Sequence, residues 1–317
     1  MENVKRRNSK IVVIGAGFVG ASAAFAIANK GITSELVLVD VRPEKAIGEA
    51  MDINHGLLFL SQMKVRAGEY SDIKGADVVV ITAGTARKPG ETRLDLAKRN
   101  ASIIKGMIPG IMEHYDGAII LMVSNPVDVN TYLFQKFSGL PASKVIGSGT
   151  VLDTARYKYI LSSHCDVDVK NIHGYIIGEH GDSQFAAWSK ANLSGIKLDE
   201  NCVACDKNCG GINKEEVMNE VRDCGAQIIK YKGATYYGIA MAVTKICEAI
   251  VMNQNAILTV GSVLNGPYGI EDSCVSVPCV VGSDGIKKIL DVSLEKDELT
   301  ALLNSAQMVK NTLAEVL

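Results

Sequence analysis

The chain lacks a charge imbalance. Its 33 Lys and Arg nearly match its 35 Asp and Glu, for a formal net charge of −2. The basic residues are scattered, so nothing draws the chain in general to nucleic acid or to an anionic membrane. Internal repeats, low-complexity tracts and long linkers are also missing. Cysteine is sparse for the length, with eight in 317 residues. Most sit in apolar runs, where Cys247, Cys274 and Cys279 read as small core hydrophobes of a reduced, cytosolic chain. Cys202, Cys205 and Cys209 differ, crowding one polar loop in C-x-x-C-x-x-x-C spacing. A metal site there needs a fourth ligand such as Cys224. Plain reduced thiols account for the spacing better, and no metal is expected.

Long apolar runs are almost absent. The exception is residues 11–28, IVVIGAGFVGASAAFAIA, uncharged and preceded by the basic stretch KRRNSK. It mimics a signal peptide or a membrane span. Three glycines at a defined spacing, and a second strand-like run ELVLVD at the distance of a βαβ unit, argue against both. The cytoplasm is the expected location.

What is present is ordinary globular material. About half the residues are apolar (47%) and a fifth are charged (21%). A chain of 317 residues suits two domains, or one large domain with ample core. The first half alternates short strands, expected at 10–14, 35–39, 64–67, 77–82, 118–123 and 145–146, with helical patterns. Runs such as DVVVI and AIILMV imply burial on both faces, as in a parallel sheet. The pattern is α/β, a Rossmann-type doubly wound parallel sheet. From about Gly149 the character changes. A helix VLDTARYKYILSSHC leads to a strand NIHGYIIG, and helices are expected near 213–232 and 235–253. Two strands, AILTVGSVL and CVSVPCVVG, and a final helix over 296–316 complete a C-terminal α+β substrate domain. The expected division is 1–148 and 149–317.

Gly15-x-Gly17-x-x-Gly20 follows the first strand and opens a helix. Gly15 allows a tight turn, Gly17 lets a pyrophosphate approach the backbone, and Gly20 lets helix and strand pack closely. With Phe18 and Val19 between them, these residues form the candidate cradle, with helix amides for the diphosphate. Asp40 ends the second strand. Its carboxylate can take both ribose hydroxyls and repels a 2′-phosphate, and apolar Val41 agrees, so NAD is expected over NADP.

Residues 82–99, TAGTARKPGETRLDLAKR, place four charges around Pro89 and Gly90 directly after an apolar strand. A loop so charged is costly to cover and easy to move. It reads as a substrate lid, about 84–96, whose arginines meet an anionic substrate on closing.

GAGFVG, Asp40, KPGETRLDL, SNPVD, VLDTAR, GEHGDS and GATYYGIA occur here in one order. In that order they resemble the L-lactate/malate dehydrogenase family over essentially the whole chain, with the bacterial L-lactate enzymes closest. The resemblance implies hydride transfer between the nicotinamide of NADH and C2 of a 2-keto acid. His180 then donates the proton to the ketone oxygen. Asp153 holds the imidazole tautomer and stabilises its cation. Arg156, one helical turn after Asp153, grips the substrate carboxylate. Arg93 polarises the ketone oxygen on lid closure. Asn125 contacts nicotinamide ribose and substrate, and Pro126 after it is a candidate cis proline.

One position departs. Lactate enzymes of this family usually carry glutamine where this chain has Arg87; malate enzymes usually carry arginine. In a closed pocket Arg93, Arg156 and protonated His180 are positive, while Asp153 and Glu91 are negative, a balance suited to monoanionic pyruvate. Arg87 adds one more cation, which suits oxaloacetate or malate. Glu91 is expected to neutralise Arg87, and Thr235 matches the lactate-type residue that fills the pocket end. The expectation is pyruvate and L-lactate, with malate or mixed specificity as the alternative. The resemblance further implies a homotetramer and a fructose 1,6-bisphosphate site at Lys158 and His173. A non-catalytic NAD-binding redox sensor need not keep a proton donor, and an NAD-dependent glycosidase on a related fold is usually longer and metal-dependent.

Overall fold

The computed structural model describes residues 9–86, 90–198 and 211–317. Arg87 and Cys202, Cys205 and Cys209 lie outside these residues, and so do the expectations attached to them. In the first half the chain forms β1 (Lys10–Ile14), α1 (Phe18–Lys30), β2 (Glu35–Val39), α2 (Pro43–Gly56) and β3 (Lys64–Ala67). Then follow β4 (Val78–Ile81), α3 (Arg93–Glu113), β5 (Ile119–Met122), α4 (Val127–Ser138) and β6 (Val145–Gly147). The second half begins with α5 (Val151–Cys165), β7 (Ile172–His173), β8 (Ile176–Ile177), β9 (Phe185–Ala186), β10 (Asn192–Leu193) and β11 (Ile196–Lys197). It ends with α6 (Lys214–Lys232), α7 (Tyr237–Val251), β12 (Ala256–Asn265), β13 (Glu271–Gly282), β14 (Gly285–Ile289) and α8 (Lys296–Val316).

The apolar runs explain the central sheet. Every residue of β4 (VVVI) and β5 (IILM) is buried, because helices cover both faces. β1 pairs in parallel with β2 (Ile11 with Leu36) and with β4 (Ile11 with Val78), and the order β3-β2-β1-β4-β5-β6 is the Rossmann order. The order reverses between β1 and β4, and the crevice beyond their carboxyl ends is where such sheets take ligands. Residues of α1, α7 and α8 pack on one face and residues of α3 and α4 on the other, while α5 and α6 share a separate core with the small strands.

The large sheet does not stop at the expected division. β12 joins β6 antiparallel through Gly261 and Gly147, and β13 and β14 extend the sheet to nine strands. Gly149 sits at this junction with φ +52°, and a Cβ there would lie 2.6 Å from the Gly261 nitrogen. The expected strand NIHGYIIG is instead two short strands. β7 pairs with β10 and β8 with β9. They are separated at Gly174, whose absent Cβ leaves room for the Tyr157 ring, 2.9 Å away. The end of the expected lid is helical: Thr92 caps α3 in a reciprocal box with Asp95, so Arg93 is the first helical residue. The helix expected over 235–253 starts only at Tyr237.

Candidate active site

The glycine loop lies where β1 ends. Gly15 turns with φ +102°, and a Cβ there would come within 2.7 Å of the Ala83 nitrogen. A Cβ on Gly20 would overlap the Gly15 carbonyl oxygen, so Gly20 permits the close crossing of α1 over the strand. A Cβ on Gly17 would meet nothing within 4 Å, so the space beside it is open. No side chain caps α1, which leaves the amides of Phe18, Val19 and Gly20 toward that space without a capping side chain. Asp40 accepts from the Ala16 amide through Oδ2 (2.7 Å) and from the Arg42 amide through Oδ1 (2.9 Å). Its carboxylate thus braces the glycine turn and keeps lone pairs for diol hydroxyls. Open cradle, uncapped amides and carboxylate together fit a dinucleotide carrying a free 2′-hydroxyl.

Farther along the carboxyl edge of the sheet, Asn125 is exposed after β5, and its bond to Pro126 is cis. The Asn125 carbonyl accepts from Asn100 Nδ2 at 2.7 Å. Buried Asn100 also takes the Thr85 amide (2.9 Å) and donates to the Thr85 carbonyl (3.1 Å). It therefore joins the start of the lid segment to the Asn125 turn. The asparagine in RNASII interrupts an apolar helix face, which is the sequence signal for such a role.

The second half brings three charged groups together. Asp153, in the first turn of α5, is 1% exposed. Its Oδ2 lies 2.6 Å from His180 Nδ1, and its Oδ1 accepts from Arg156 Nη1 at 3.0 Å. Burial alone raises the Asp153 carboxyl, yet the charges of His180 and Arg156 hold it below its ordinary value. The Asp153 charge, opposed by burial, pushes the His180 imidazole up to about 9. With Nδ1 engaged and 27% of the His180 side chain exposed, Nε2 is the nitrogen left to face a reactant. Arg156 keeps further N–H groups for a carboxylate, and α6 passes beside it: a Cβ on Gly225 would lie 3.8 Å from Nη2. The arrangement can orient an anion, hold one imidazole tautomer and deliver a proton.

His180 is gripped from the other half as well. Asp128, in the first turn of α4, accepts the His180 amide through Oδ2 at 2.8 Å. The loop bearing His180 is anchored again by Ser305 of α8, which takes the Glu179 amide at 2.6 Å. Sequence reasoning quoted Asp128 within SNPVD but gave it no task.

Arg93 forms a two-point pair with Asp182, two residues after His180, at 2.6 and 2.8 Å. It stands next to the proton-donor loop with its guanidinium on a carboxylate. Glu91 forms a two-point pair with Arg99; its expected pairing with Arg87 lies outside the described residues. Arg99, on α3 just beyond the lid, supplies the cation of the observed pair. Thr235 is half-buried in the short link between α6 and α7. Lys158 is half-buried in α5, where burial lowers its ammonium, and His173 is exposed at the end of β7, which packs against α5. Cys247, Cys274 and Cys279 are buried with thiols pushed up by burial, and Cys224 lies on α6 with Arg156 among its neighbouring charges. Among the described residues, no group of three or more His, Cys, Asp or Glu could hold a metal ion.

Comparison with known proteins gives the family of the chain. Residues 9–147 match the family pattern described as lactate/malate dehydrogenase, NAD binding domain. Residues 150–317 match the family's alpha/beta C-terminal domain. L-lactate dehydrogenase 1 of Clostridium acetobutylicum is 50% identical over 311 residues, covering 98% of this chain and 99% of that protein. A solved lactate dehydrogenase from a Medee basin deep-sea metagenome library superposes with a TM-score of 0.92 at 45% identity, covering 98% of this chain and 99% of that one. The structure of L-lactate dehydrogenase from Clostridium thermocellum gives a TM-score of 0.87 at 51% identity, with the same coverage.

Proposed function

Because the chain belongs to the lactate/malate dehydrogenase family, we propose that it is an NAD-dependent L-lactate dehydrogenase, reversibly converting pyruvate and NADH to L-lactate and NAD. The observation that carries the reading is the buried Asp153 carboxylate shared between His180 and Arg156. NAD supplies the hydride chemistry when bound. Gly15, Gly17 and Gly20, with the amides of Phe18 and Val19, hold the diphosphate, Asp40 the ribose hydroxyls and Asn125 the nicotinamide side.

Arg156 orients the keto acid by its carboxylate, which a planar guanidinium can grip at two points. Protonated His180 gives its Nε2 proton to the ketone oxygen, and Asp153 stabilises the cation before transfer and the tautomer after it. Arg93 leaves Asp182 as the lid closes and polarises the ketone. Its exchange is inexpensive, because both members of the pair are exposed.

Malate or mixed specificity is the second reading. Arg87 favours it, by adding a cation to the pocket. Thr235 favours pyruvate by crowding the pocket end. The test is kcat/KM for pyruvate and for oxaloacetate, each with NADH and NADPH. Pyruvate with NADH is expected to lead, by at least about tenfold over NADPH. A lead for oxaloacetate would make Arg87 the specificity residue and replace the lactate reading.

The division into residues 1–148 and 149–317, with the lid at 84–96, follows the two roles. A homotetramer is proposed from the family resemblance, and exposed Phe25 of α1 with Tyr237 and Met241 of α7, which line one groove, offer apolar surface for it. Lys158 and His173 are proposed to take fructose 1,6-bisphosphate; added effector should lower KM for pyruvate, with an effect that fades at high salt. A cytoplasmic location is proposed from the likeness to bacterial L-lactate dehydrogenases; among the described residues no helix is long and apolar enough to cross a membrane.

A further inference from the structure

Asp128 is 2% exposed, and its two carboxylate oxygens have different fates. Oδ2 accepts the His180 amide at 2.8 Å, across 52 residues of sequence. Oδ1 is fully buried without a hydrogen-bond partner. It faces β12, where a Cβ on Gly261 would lie 3.3 Å away. An unpaired buried carboxylate oxygen is costly, and a neutral acceptor would serve the His180 amide at lower cost. The charge is therefore what needs explaining.

We propose that Asp128 is a positioning residue for the proton donor: it pins the His180 main chain to the first turn of α4, and its ionised form places a second negative charge beside the imidazole. Two carboxylates then flank one histidine. Asp153 meets Nδ1 directly from α5. Asp128 acts from the other half of the molecule through the amide, three residues after Asn125. The proton donor is thereby registered to the segment that meets the nicotinamide, and relative motion of the halves is opposed where proton and hydride must arrive together.

His180 faces Asp153, Asp128 and Arg156. Asp128 faces His180 and Glu179 on the loop and the neutral thiol of Cys274 on β13. Burial raises the Asp128 carboxyl to about 7, against the His180 amide and charge. The charge of ionised Asp128 adds to the imidazole's affinity for its proton.

The inference rests on His180 being the proton donor, and the experiment separates the two. The His180 imidazole is titrated by NMR in the cofactor-free protein, with His180→Asn identifying its signal among the five histidines. Asp128→Asn keeps an acceptor for the amide and removes the charge. It should lower the His180 pKa by about half a unit to one unit and leave turnover within about fivefold. Asp128→Ala removes the acceptor too. It should lower kcat by about ten- to a hundredfold with KM for pyruvate and NADH affinity within about threefold, and Asp128→Asn should restore most of that loss. If Asp128→Ala does not fold, the His180 titration in Asp128→Asn decides. An unmoved His180 pKa in Asp128→Asn, or parental turnover in Asp128→Ala, overturns the proposal. Parental turnover in His180→Asn would instead overturn the assignment of the proton donor.

Discussion

Asp153 and Asp128 reach the same histidine from opposite halves of the molecule, and both are buried, yet their carboxyls move in opposite directions. Asp153 has a cation on each oxygen and is held below its ordinary value. Asp128 has one amide and one unpaired oxygen, and burial drives it up to about 7. Burial is shared, so partners decide. A carboxylate clamped between two charges stays ionised and can stabilise an imidazolium throughout a cycle. One held by a single amide is sensitive to its surroundings and serves to place a backbone.

Removing the shared partner should have the largest effect. His180→Asn leaves Asp153 without its imidazole while Asp128 keeps the main-chain amide, and kcat for pyruvate should fall by about a thousandfold or more while NADH still binds. Loss of NADH absorbance measures the turnover and NADH fluorescence the binding. Asp153→Asn breaks the clamped side alone. It loses the tautomer and the imidazolium partner, and kcat should fall by about a hundredfold or more with NADH affinity retained. Arg156→Lys keeps a charge beside Asp153 but loses the two-point grip, so it moves Asp153 toward the singly held condition of Asp128. KM for pyruvate should rise by about ten- to a hundredfold, more than kcat falls. Asp182→Asn touches neither aspartate. It releases Arg93 from an exposed pair, and the melting temperature should stay within about 2 °C of the parent.

Much of this was legible beforehand, for physical reasons. β4 and β5 could be read because a strand buried on both faces must be apolar without interruption. The glycine cradle could be read because each glycine answers a separate steric demand. The Asp153–Arg156 pair could be read because three residues make nearly one helical turn, which puts both side chains on one face. Tertiary partners were a different matter. Nothing in SNPVD tells that Asp128 takes the His180 amide 52 residues away, since a buried aspartate and a helix-starting surface one look alike in sequence. The same holds for Glu91, whose partner Arg99 is on the next helix, and for Arg93 with Asp182. The break in NIHGYIIG was hidden because the reason for Gly174 is the Tyr157 ring against it, on another element.

The most direct test of the Asp153–His180 pair is the pH dependence of kcat/KM for pyruvate, which reports the free enzyme's essential acid. Pyruvate reduction needs the protonated imidazole, whose pKa Asp153 raises to about 9. The rate should therefore be level through neutral pH and fall by about tenfold per pH unit above that value. In Asp153→Asn the residual activity should break at lower pH, because the charge that raises the imidazole is gone. A parental profile with no alkaline break, or a break that stays put in Asp153→Asn, would contradict the account.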